Sequence, residues 1–401
     1  MDIVERFKKY ISFETMSSET SGTHPSSYQE ILFGNLLVED LKELGLEKVQ
    51  HDEHGYVYAF VNNNKEKTIG LIAHMDTAPT IEGGIKNPQI IKNYDGGAIE
   101  LNEDYIMTPI DFPVLESVVG EDLMVTDGEH LLGGDDKAGI SIIFSFLEYY
   151  LEHKNELNYN LSICFTPDEE IGEGPLFFDT KKMKADIAFT IDGESIYEAN
   201  YENFNASSAL VKIFGLGVHP GSAKGLMINA GLLGIEFNNN LPQKMIPSET
   251  EGYEGFIHLC GIKGDVEECT LEYILRDHDQ KLLNKQKELL EQSKKDLLKK
   301  YPKAKIELSF KDQYRNMNEY FIEDPRAIKM INNAYLALKM PLKYQAIRGG
   351  TDGASITYMG LPCPNLGDGD YNPHGRFEFV SLTQMKKMKE IIISIFKGEV
   401  L

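Results

Sequence analysis

Short apolar runs alternate with amphipathic stretches along the first half of the chain. Branched and aromatic residues fill four runs of strand length, at 56–61, 68–74, 161–166 and 186–191. Helical periodicity is present at 137–153, and further helices are predicted at 28–44 and 380–397. Strands that alternate with helices predict an α/β domain with a largely buried sheet. Ligand sites in such domains lie beyond the carboxyl ends of the strands.

The segment after residue 204 has a different order of elements. The pattern predicts a strand, a helix, two strands, a long helix and a last strand, at 206–216, 227–241, 255–264, 268–277, 278–300 and 305–313. This β-α-β-β-α-β order is the ferredoxin-like arrangement. Because alternating strands and helices resume afterwards, we predict an α+β domain at 205–316 inserted into an α/β domain formed by 1–204 and 317–401.

Composition narrows the function classes. The 401-residue chain carries a formal net charge of −23, which argues against a nucleic-acid partner or an anionic membrane. Its N-terminus lacks a secretory signal, and no apolar run reaches the roughly 18 residues of a membrane span. The cysteines are scattered without a C-x-x-C pair, which predicts buried free thiols in a reducing cytoplasm. They are Cys164, Cys260, Cys269 and Cys363.

Histidines and paired carboxylates stand at the predicted strand and helix ends. His74 ends a strand of buried type, and Asp76 starts on the same side of that strand. A metal-bound imidazole commonly has its other N–H held by a carboxylate, although a structural hydrogen bond is the simpler alternative. Asp135 and Asp136 precede a predicted helix, and capping would explain one of them but not both.

Three further segments supply metal-binding residue types. Glu169 and Glu170 follow the strand at 161–166, Asp192 ends the strand at 186–191, and His374 lies in a Pro/Gly turn. Imidazoles and carboxylates together suit zinc, with manganese or cobalt as alternatives. Two divalent cations would balance three carboxylates and one hydroxide, so that no net charge is buried. If Glu170 binds a metal, its neighbour Glu169 stays free as a general base.

The strand at 268–277 presents an arginine away from the core. Leu271, Tyr273 and Leu275 alternate on one face, which leaves Arg276 on the other face near the strand end. The alternatives at this point are a surface ion pair and a substrate-binding role.

Motifs at these residues resemble those of the peptidase T family over nearly the whole chain. This family is the aminotripeptidase branch of the co-catalytic zinc exopeptidases, which include carnosinase-like dipeptidases, acetylornithine deacetylase and succinyl-diaminopimelate desuccinylase. The motifs are HMD at 74–76, GGDDKAG at 133–139, FTPDEEIGEG at 165–174, TIDG at 190–193, ENFNA at 202–206, VHPGSAKG at 218–225, TEGYEGF at 250–256, RGGTDGA at 348–354, GLPCPNL at 360–366 and HGRFEF at 374–379.

The resemblance implies a zinc-exopeptidase-like catalytic domain with two Zn²⁺ per subunit, for which Mn²⁺ or Co²⁺ could substitute. It implies that His74 and Asp192 hold one ion and that Glu170 and His374 hold the other. Asp135 would bridge the two ions through its two oxygens. The family's inserted ferredoxin-like domain acts as a lid, which agrees with the order of elements described above.

The resemblance also implies the remaining catalytic roles. Asp136 would follow Asp135 across a cis peptide bond, Asp76 would orient His74, and Glu169 would be the general base. From the lid, His219 would reach the scissile carbonyl oxygen. Three side chains are the candidates for holding the substrate carboxylate: Asn229 and Arg276 in the lid, and Arg348 in the catalytic domain.

The expected function is release of the N-terminal residue from tripeptides by a cytoplasmic metallopeptidase. Within the same chemistry, a dipeptidase or an N-acyl amino-acid deacylase is the alternative, and a non-catalytic peptide- or metal-binding protein is an alternative of another class. The expected partner is a small peptide substrate, without nucleic acid or membrane. Some relatives dimerise through the lid, so a homodimer is one option.

Overall fold

The structure is a computed structural model that describes residues 1–399. Ten helices are formed within these residues: α1 Ile3–Ile11, α2 Tyr28–Glu43, α3 Gly134–Glu152, α4 Thr180–Met183, α5 Ala230–Asn239, α6 Gln280–Lys300, α7 Asn318–Glu323, α8 Arg326–Leu338, α9 Asp352–Tyr358 and α10 Leu382–Lys397. Short 3₁₀ helices lie at Pro113–Val118, Lys154–Glu156, Glu169–Ile171, Pro220–Ser222 and Pro247–Glu249.

The same residues form eighteen strands. They are β1 Val49–His51, β2 Val57–Val61, β3 Thr68–His74, β4 Gln89–Ile91, β5 Ile99–Glu100, β6 Ile106–Met107, β7 Leu123–Val125, β8 Asn160–Thr166, β9 Ile187–Ile191, β10 Glu198–Asn200, β11 Asn205–Phe214, β12 Phe256–Gly264, β13 Glu268–Asp277, β14 Lys305–Tyr314, β15 Lys343–Tyr344, β16 Asn365–Leu366, β17 Asp370–Tyr371 and β18 Phe379–Ser381.

The chain divides into two compact units. Unit 2 comprises Glu202–Asn318 and Ala346–Gly350, and unit 1 comprises the chain before, between and after these two stretches. The predicted insertion at 205–316 was slightly shorter. The stretch Ala346–Gly350 was predicted to belong to the catalytic domain, but it groups with unit 2 because Arg348 hydrogen-bonds to residues of that unit.

The core of unit 1 is an eight-stranded sheet. Its strand order is β1-β2-β8-β3-β9-β16-β10-β15, and β3 pairs in parallel with both β8 and β9. Every residue of these three central strands is buried, as expected for a parallel sheet covered on both faces. Their carboxyl ends therefore meet at one edge of the sheet, where the α/β class places its ligand sites. The predicted α/β class is confirmed.

A second sheet of unit 1 was not predicted. It has the strand order β17-β18-β7-β4, and none of its strands is longer than three residues. Such short strands carry too few alternations to stand out from loops in the sequence. This sheet matters for the site because β17 immediately precedes the turn that contains His374.

Unit 2 has the predicted order of elements. Its four strands form an antiparallel sheet in the order β12-β13-β11-β14. Leu271, Tyr273 and Leu275 of β13 are buried, and they belong to one apolar cluster with the leucines that α6 presents every seven residues. Those leucines are Leu283, Leu290 and Leu297. The facing of β13 inferred from its alternation is correct, with Arg276 on the opposite face.

The cysteines were predicted to be buried free thiols, and no membrane-spanning segment was predicted. All four cysteines are free thiols, and three are buried. Cys260 is exposed, so the prediction of burial was wrong there, because β12 lies at the sheet edge and only one of its nine residues is buried. Among the helices of the described residues, none combines the length and the apolar character needed to cross a membrane.

Candidate metal centre

Acidic and imidazole side chains lie at the carboxyl ends of three neighbouring strands, at one edge of the sheet. His74 is the last residue of β3, and Asp192 directly follows β9. Glu169 and Glu170 open a 3₁₀ turn that follows β8. Because β8, β3 and β9 are adjacent and parallel, the residues at their carboxyl ends lie close together. The register of the sheet thus brings together four of the predicted residues, His74, Glu169, Glu170 and Asp192.

Asp135 lies between two histidines from distant parts of the chain. Its Oδ1 is 2.7 Å from Nε2 of His74, and its Oδ2 is 3.2 Å from Nε2 of His374. His374 is also 2.9 Å from Oε2 of Glu170. Each oxygen of one carboxylate therefore faces a different imidazole, which is the arrangement needed for a carboxylate that bridges two ions.

Burial and mutual repulsion shift the pKa values of this group. Burial, with a further contribution from the charge of Asp135, raises the pKa of Glu170 to about 7 and that of Asp192 to about 6. For Asp135, burial acts in the same direction, but hydrogen bonds from His374 and His74 outweigh it and lower the pKa. Hydrogen bonds to Asp135 and Glu170 raise the pKa of His374 to about 11. The cluster is thus rich in buried negative charge that a cation would stabilise.

The donor set fits divalent metal ions. Donor atoms of His74, Asp135 and Glu170 lie within 4.8 Å of one another, and so do those of His74, Asp136 and Asp192. Oε1 of Glu170 is buried without a hydrogen-bond partner, as expected of an oxygen that is a metal ligand. The second cluster contains Asp136, whereas the resemblance implied that Asp135 is the third ligand beside His74 and Asp192. Asp136 lies close to His74 because it hydrogen-bonds to the backbone there.

Asp136 holds the backbone around the site. Its Oδ2 accepts a hydrogen bond from the backbone N–H of His74 at 3.1 Å, and its Oδ1 accepts one from Gly139 at 3.1 Å. Both oxygens are thereby engaged in positioning the main chain. The peptide bond between Asp135 and Asp136 is cis, which confirms the expectation drawn from the resemblance.

Asp76 has a contact with the glutamate pair that the sequence did not predict. Its two carboxylate oxygens accept hydrogen bonds from the backbone N–H groups of Glu169 and Glu170, at 3.0 and 3.1 Å. Nδ1 of His74 lies 3.0 Å from the Asp76 carbonyl oxygen and 3.4 Å from its Oδ1. One aspartate therefore contacts the imidazole and also fixes the turn that carries the predicted base, Glu169, and the predicted ligand, Glu170.

Two buried carboxylates beside the site were not identified from the sequence. Glu378 accepts hydrogen bonds from the backbone N–H groups of Gly133, Gly134 and Asp135, at 2.9, 2.6 and 3.2 Å. Asp352 accepts a hydrogen bond from Oγ1 of Thr166 at 2.8 Å. After burial itself, the charge of Asp352 is the largest cause of the raised pKa of Glu169. Both lie in motifs quoted above, HGRFEF and RGGTDGA, where only their neighbours were assigned roles.

A Glu378→Gln variant is expected to bind metal about 10–100-fold more weakly, because Glu378 fixes the backbone that carries Asp135. The amide would place an NH₂ group against backbone donors. Metal affinity by competition with a chromogenic chelator is the measurement. Glu121→Gln is the matched control, since Glu121 accepts hydrogen bonds from Ser381 and Gln384 but contacts no predicted ligand. Equal loss of affinity in both variants would contradict the positioning role.

Metal binding is expected to release about two to three protons at pH 7, because both imidazoles must become neutral to act as ligands and Glu170 is about half protonated at that pH. The pKa of His374 is raised to about 11, and hydrogen bonding to Asp135 also raises the pKa of His74 despite its burial. Affinity should therefore increase with pH, and more steeply below pH 7, where Glu170 must also lose a proton. Calorimetry in buffers of different ionisation enthalpy measures the release; a value near zero would contradict this protonation state.

The three candidates at 205–316 all lie in unit 2. Nδ1 of His219 accepts a hydrogen bond from the backbone N–H of Gly221 at 3.1 Å, so a neutral ring carries its proton on Nε2. Oδ1 of Asn229 caps α5 by accepting from Leu232 at 3.0 Å. Nη1 of Arg276 donates to the carbonyl oxygen of Leu275 at 3.0 Å, and its guanidinium lies over the ring of Tyr314.

Arg348 is engaged by the TEGYEGF segment of unit 2. Its guanidinium donates to the carbonyl oxygens of Gly252 and Glu254, both at 2.8 Å, and to Oγ1 of Thr250 at 3.0 Å. It also lies 5.1 Å from the ring centroid of Phe204. The assignment of Arg348 to the catalytic domain was wrong, because these contacts attach it to unit 2. Its role toward the substrate carboxylate stays a prediction.

The fold and site define an α/β protein with candidate metal clusters at the carboxyl ends of its central strands. Residues 126–397 match the model of peptidase family M20/M25/M40. A protein named Peptidase T from Caldanaerobacter subterraneus subsp. tengcongensis is 46% identical over 398 residues, covering 98% of this chain and 97% of the relative. The chain therefore belongs to the peptidase T branch of family M20/M25/M40.

Solved structures show the same fold. Aminopeptidase PepT from Bacillus cereus superposes with a TM-score of 0.76 at 17% identity, covering 98% of this chain and 97% of that one. A tripeptidase from Staphylococcus aureus superposes with a TM-score of 0.74 at 18% identity, with the same coverage. The two similarities extend over both units of the chain.

Proposed function

We propose that this protein is a metal-dependent aminopeptidase that releases the N-terminal residue from tripeptides. The observation that carries the proposal is the placement of Asp135 between His74 and His374, with Glu169 held beside the proposed ligand Glu170. The 46% identity to a protein named Peptidase T supports the same conclusion.

The proposed cofactors are two Zn²⁺ ions, with Mn²⁺ or Co²⁺ as substitutes. His74 and Asp192 would hold one ion, Glu170 and His374 the other, and Asp135 both. Nitrogen and carboxylate oxygen donors suit these ions. Bound divalent ions at such a site supply Lewis acidity, which polarises the scissile carbonyl and makes water more acidic.

Glu169 is the proposed general base and then the general acid. Its carboxylate takes a proton from the attacking water and delivers that proton to the leaving amine. Burial, together with the charge of Asp352, raises the pKa of Glu169 above its usual range, which suits a group that must both accept and donate a proton. Asp76 fixes the backbone of Glu169, so the base is held in place.

Unit 2 supplies the proposed substrate-binding groups. A neutral His219 that accepts through Nδ1 presents its Nε2–H as a donor, which suits a developing oxyanion. Arg276, Asn229 and Arg348 are the proposed partners of the substrate carboxylate, for which a guanidinium is well matched. The contact from the backbone N–H of Gly221 occupies Nδ1 and leaves Nε2 as the nitrogen that would face the substrate.

The proposed partner is a small peptide in the cytoplasm. The net charge of −23 disfavours binding to nucleic acid or to an anionic membrane. Four free cysteines agree with a reducing compartment. The oligomeric state, either a monomer or a homodimer, is measured by sedimentation or light scattering.

Mass spectrometry of the products from an unblocked tripeptide tests the proposal. Release of the N-terminal residue, lost with a chelator and restored by Zn²⁺, is the expected result. The N-acetylated form of the same tripeptide is the matched control, and it should not be cleaved. Cleavage of the blocked peptide would favour the deacylase, release of the C-terminal residue would reverse the substrate's orientation, and no cleavage by metal-loaded protein would favour a binding protein.

A further inference from the structure

His24 is a buried histidine that the proposed reaction does not use. It lies between α1 and α2, and its side chain is only 7% exposed. Its ring packs against Phe177 and Tyr56, with centroid distances of 4.9 and 5.8 Å. An imidazole in such surroundings has lost its hydration and needs polar partners within the protein.

Both ring nitrogens of His24, Nδ1 and Nε2, are buried and form no hydrogen bond. Nδ1 nevertheless lies 3.0 Å from Oδ2 of Asp168 and 3.7 Å from Oε2 of Glu173. A nitrogen that faces two carboxylates at these distances, without a hydrogen bond to either, is placed as ligands are placed around a common ion.

The distances suit a zinc-sized cation. Zinc bonds to imidazole nitrogen and carboxylate oxygen are about 2.0–2.2 Å long, so tetrahedral ligand atoms lie roughly 3.3–3.6 Å apart. The two separations of 3.0 and 3.7 Å bracket this range. All three donor atoms lie within 4.8 Å of one another, and none of the three residues belongs to the clusters around His74.

Surrounding contacts hold the buried carboxylate in place. Both oxygens of Asp168 accept hydrogen bonds from the backbone N–H of Ser26, at 3.0 and 2.8 Å. The backbone N–H of Asp168 donates in turn to Oε2 of Glu30 at 3.0 Å. Such outer contacts are typical of metal-binding carboxylates. A neutral imidazole and two carboxylates would also balance the charge of one divalent ion.

We propose that His24, Asp168 and Glu173 form a third divalent-metal site, of the zinc class, separate from the catalytic centre. Glu173 is about half exposed, so the site is open to exchange with solvent on that side. An ion there connects the segment before α2 to the loop that carries Glu169 and Glu170. The alternative occupant of the same space is a proton, which would make His24 the cation of an ion pair with both carboxylates.

Zinc stoichiometry of the full-length protein distinguishes these two possibilities. Wild type, His24→Gln and His130→Gln are dialysed against buffered Zn²⁺, and zinc per chain is measured by elemental analysis. His130→Gln is the matched control, because His130 is a solvent-exposed histidine that hydrogen-bonds to Asp127 at 2.8 Å. We expect His24→Gln to bind one ion fewer than wild type and His130→Gln to bind the same number. Equal counts in all three proteins would overturn the proposal in favour of the protonated ion pair.

A second variant guards against misfolding of His24→Gln. Glu173→Gln changes a half-exposed side chain, and we expect it to weaken one zinc affinity by about tenfold or more. Unchanged affinities in Glu173→Gln would also count against the site. The comparison of wild type with His24→Gln is independent of the proposed function. Loss of the catalytic ions would lower the number of zinc ions per chain equally in both proteins and leave the difference between them at one.

Discussion

A Glu169→Gln variant should keep both ions of the catalytic centre and hydrolyse tripeptides about 10²–10⁴-fold more slowly, the range that general acid–base groups typically contribute. Glutamine preserves the size of the side chain, and the backbone N–H of residue 169 can still donate to Asp76. What the variant loses is the carboxylate that accepts the proton from water. The measurement combines kcat for an unblocked tripeptide with metal content from the same preparation.

The adjacent Glu170 provides the control for this experiment. Its Oε2 lies 2.9 Å from His374 and its donor atoms belong to the cluster with His74 and Asp135. Glu170→Gln should therefore lose metal as well as activity, whereas Glu169→Gln should lose activity alone. If Glu169→Gln lost metal to the same extent, Glu169 would be a ligand; if its kcat were unchanged, the base would have to be sought elsewhere.

The pattern of apolar residues predicted the long elements well, because each is long enough for its pattern to differ from that of a loop. The central strands β3, β8 and β9 read as continuous apolar runs because they are buried on both faces. In unit 2, the alternation in β13 correctly located the buried face. The two-residue and three-residue strands around β7 and β17 could not be recognised, since a pattern needs several repeats before it differs from a loop.

The candidate ligands were easier to recognise in the sequence than the residues that support them. His74 and Asp192 stand at the ends of recognisable strands, where metal-binding residue types are conspicuous. Glu378 acts by accepting hydrogen bonds from a loop more than 240 positions earlier in the chain, and that pairing exists only in the folded protein. The same reason applies to Arg348, whose partners at 250–254 could not be inferred from its neighbours in sequence.

The hydrogen bonds from the backbone of Glu169 and Glu170 to Asp76 are another contact that the sequence could not predict. The resemblance implied that Asp76 orients His74, and the spacing placed the two side chains on the same side of a strand. Its carboxylate in fact accepts from the backbone of Glu169 and Glu170, a contact made between the ends of two adjacent parallel strands. Sequence spacing therefore predicted that Asp76 is near the imidazole, while the register between β3 and β8 determines what its oxygens bind.

An Asp135→Asn variant is expected to lose metal from both positions and to have no measurable peptidase activity. The two oxygens of Asp135 face His74 and His374 separately, so replacing one by an NH₂ group puts a donor where an ion would need an acceptor. Loss of the negative charge also leaves the buried imidazole of His74 and the half-exposed imidazole of His374 without the carboxylate between them. Metal content and kcat/KM for a tripeptide, measured at several zinc concentrations, provide the test.

Asp192→Asn is the informative comparison, because Asp192 is proposed to contact only one of the two ions. The variant should lower the affinity for one ion while the other remains bound, so the catalytic centre should retain about one of its two ions. If Asp135→Asn and Asp192→Asn lost the same single ion, Asp135 would be a ligand of one position and the bridging role would be wrong. A bridging carboxylate predicts the opposite: both ions leave when Asp135 is changed, because its two oxygens face the two histidines separately.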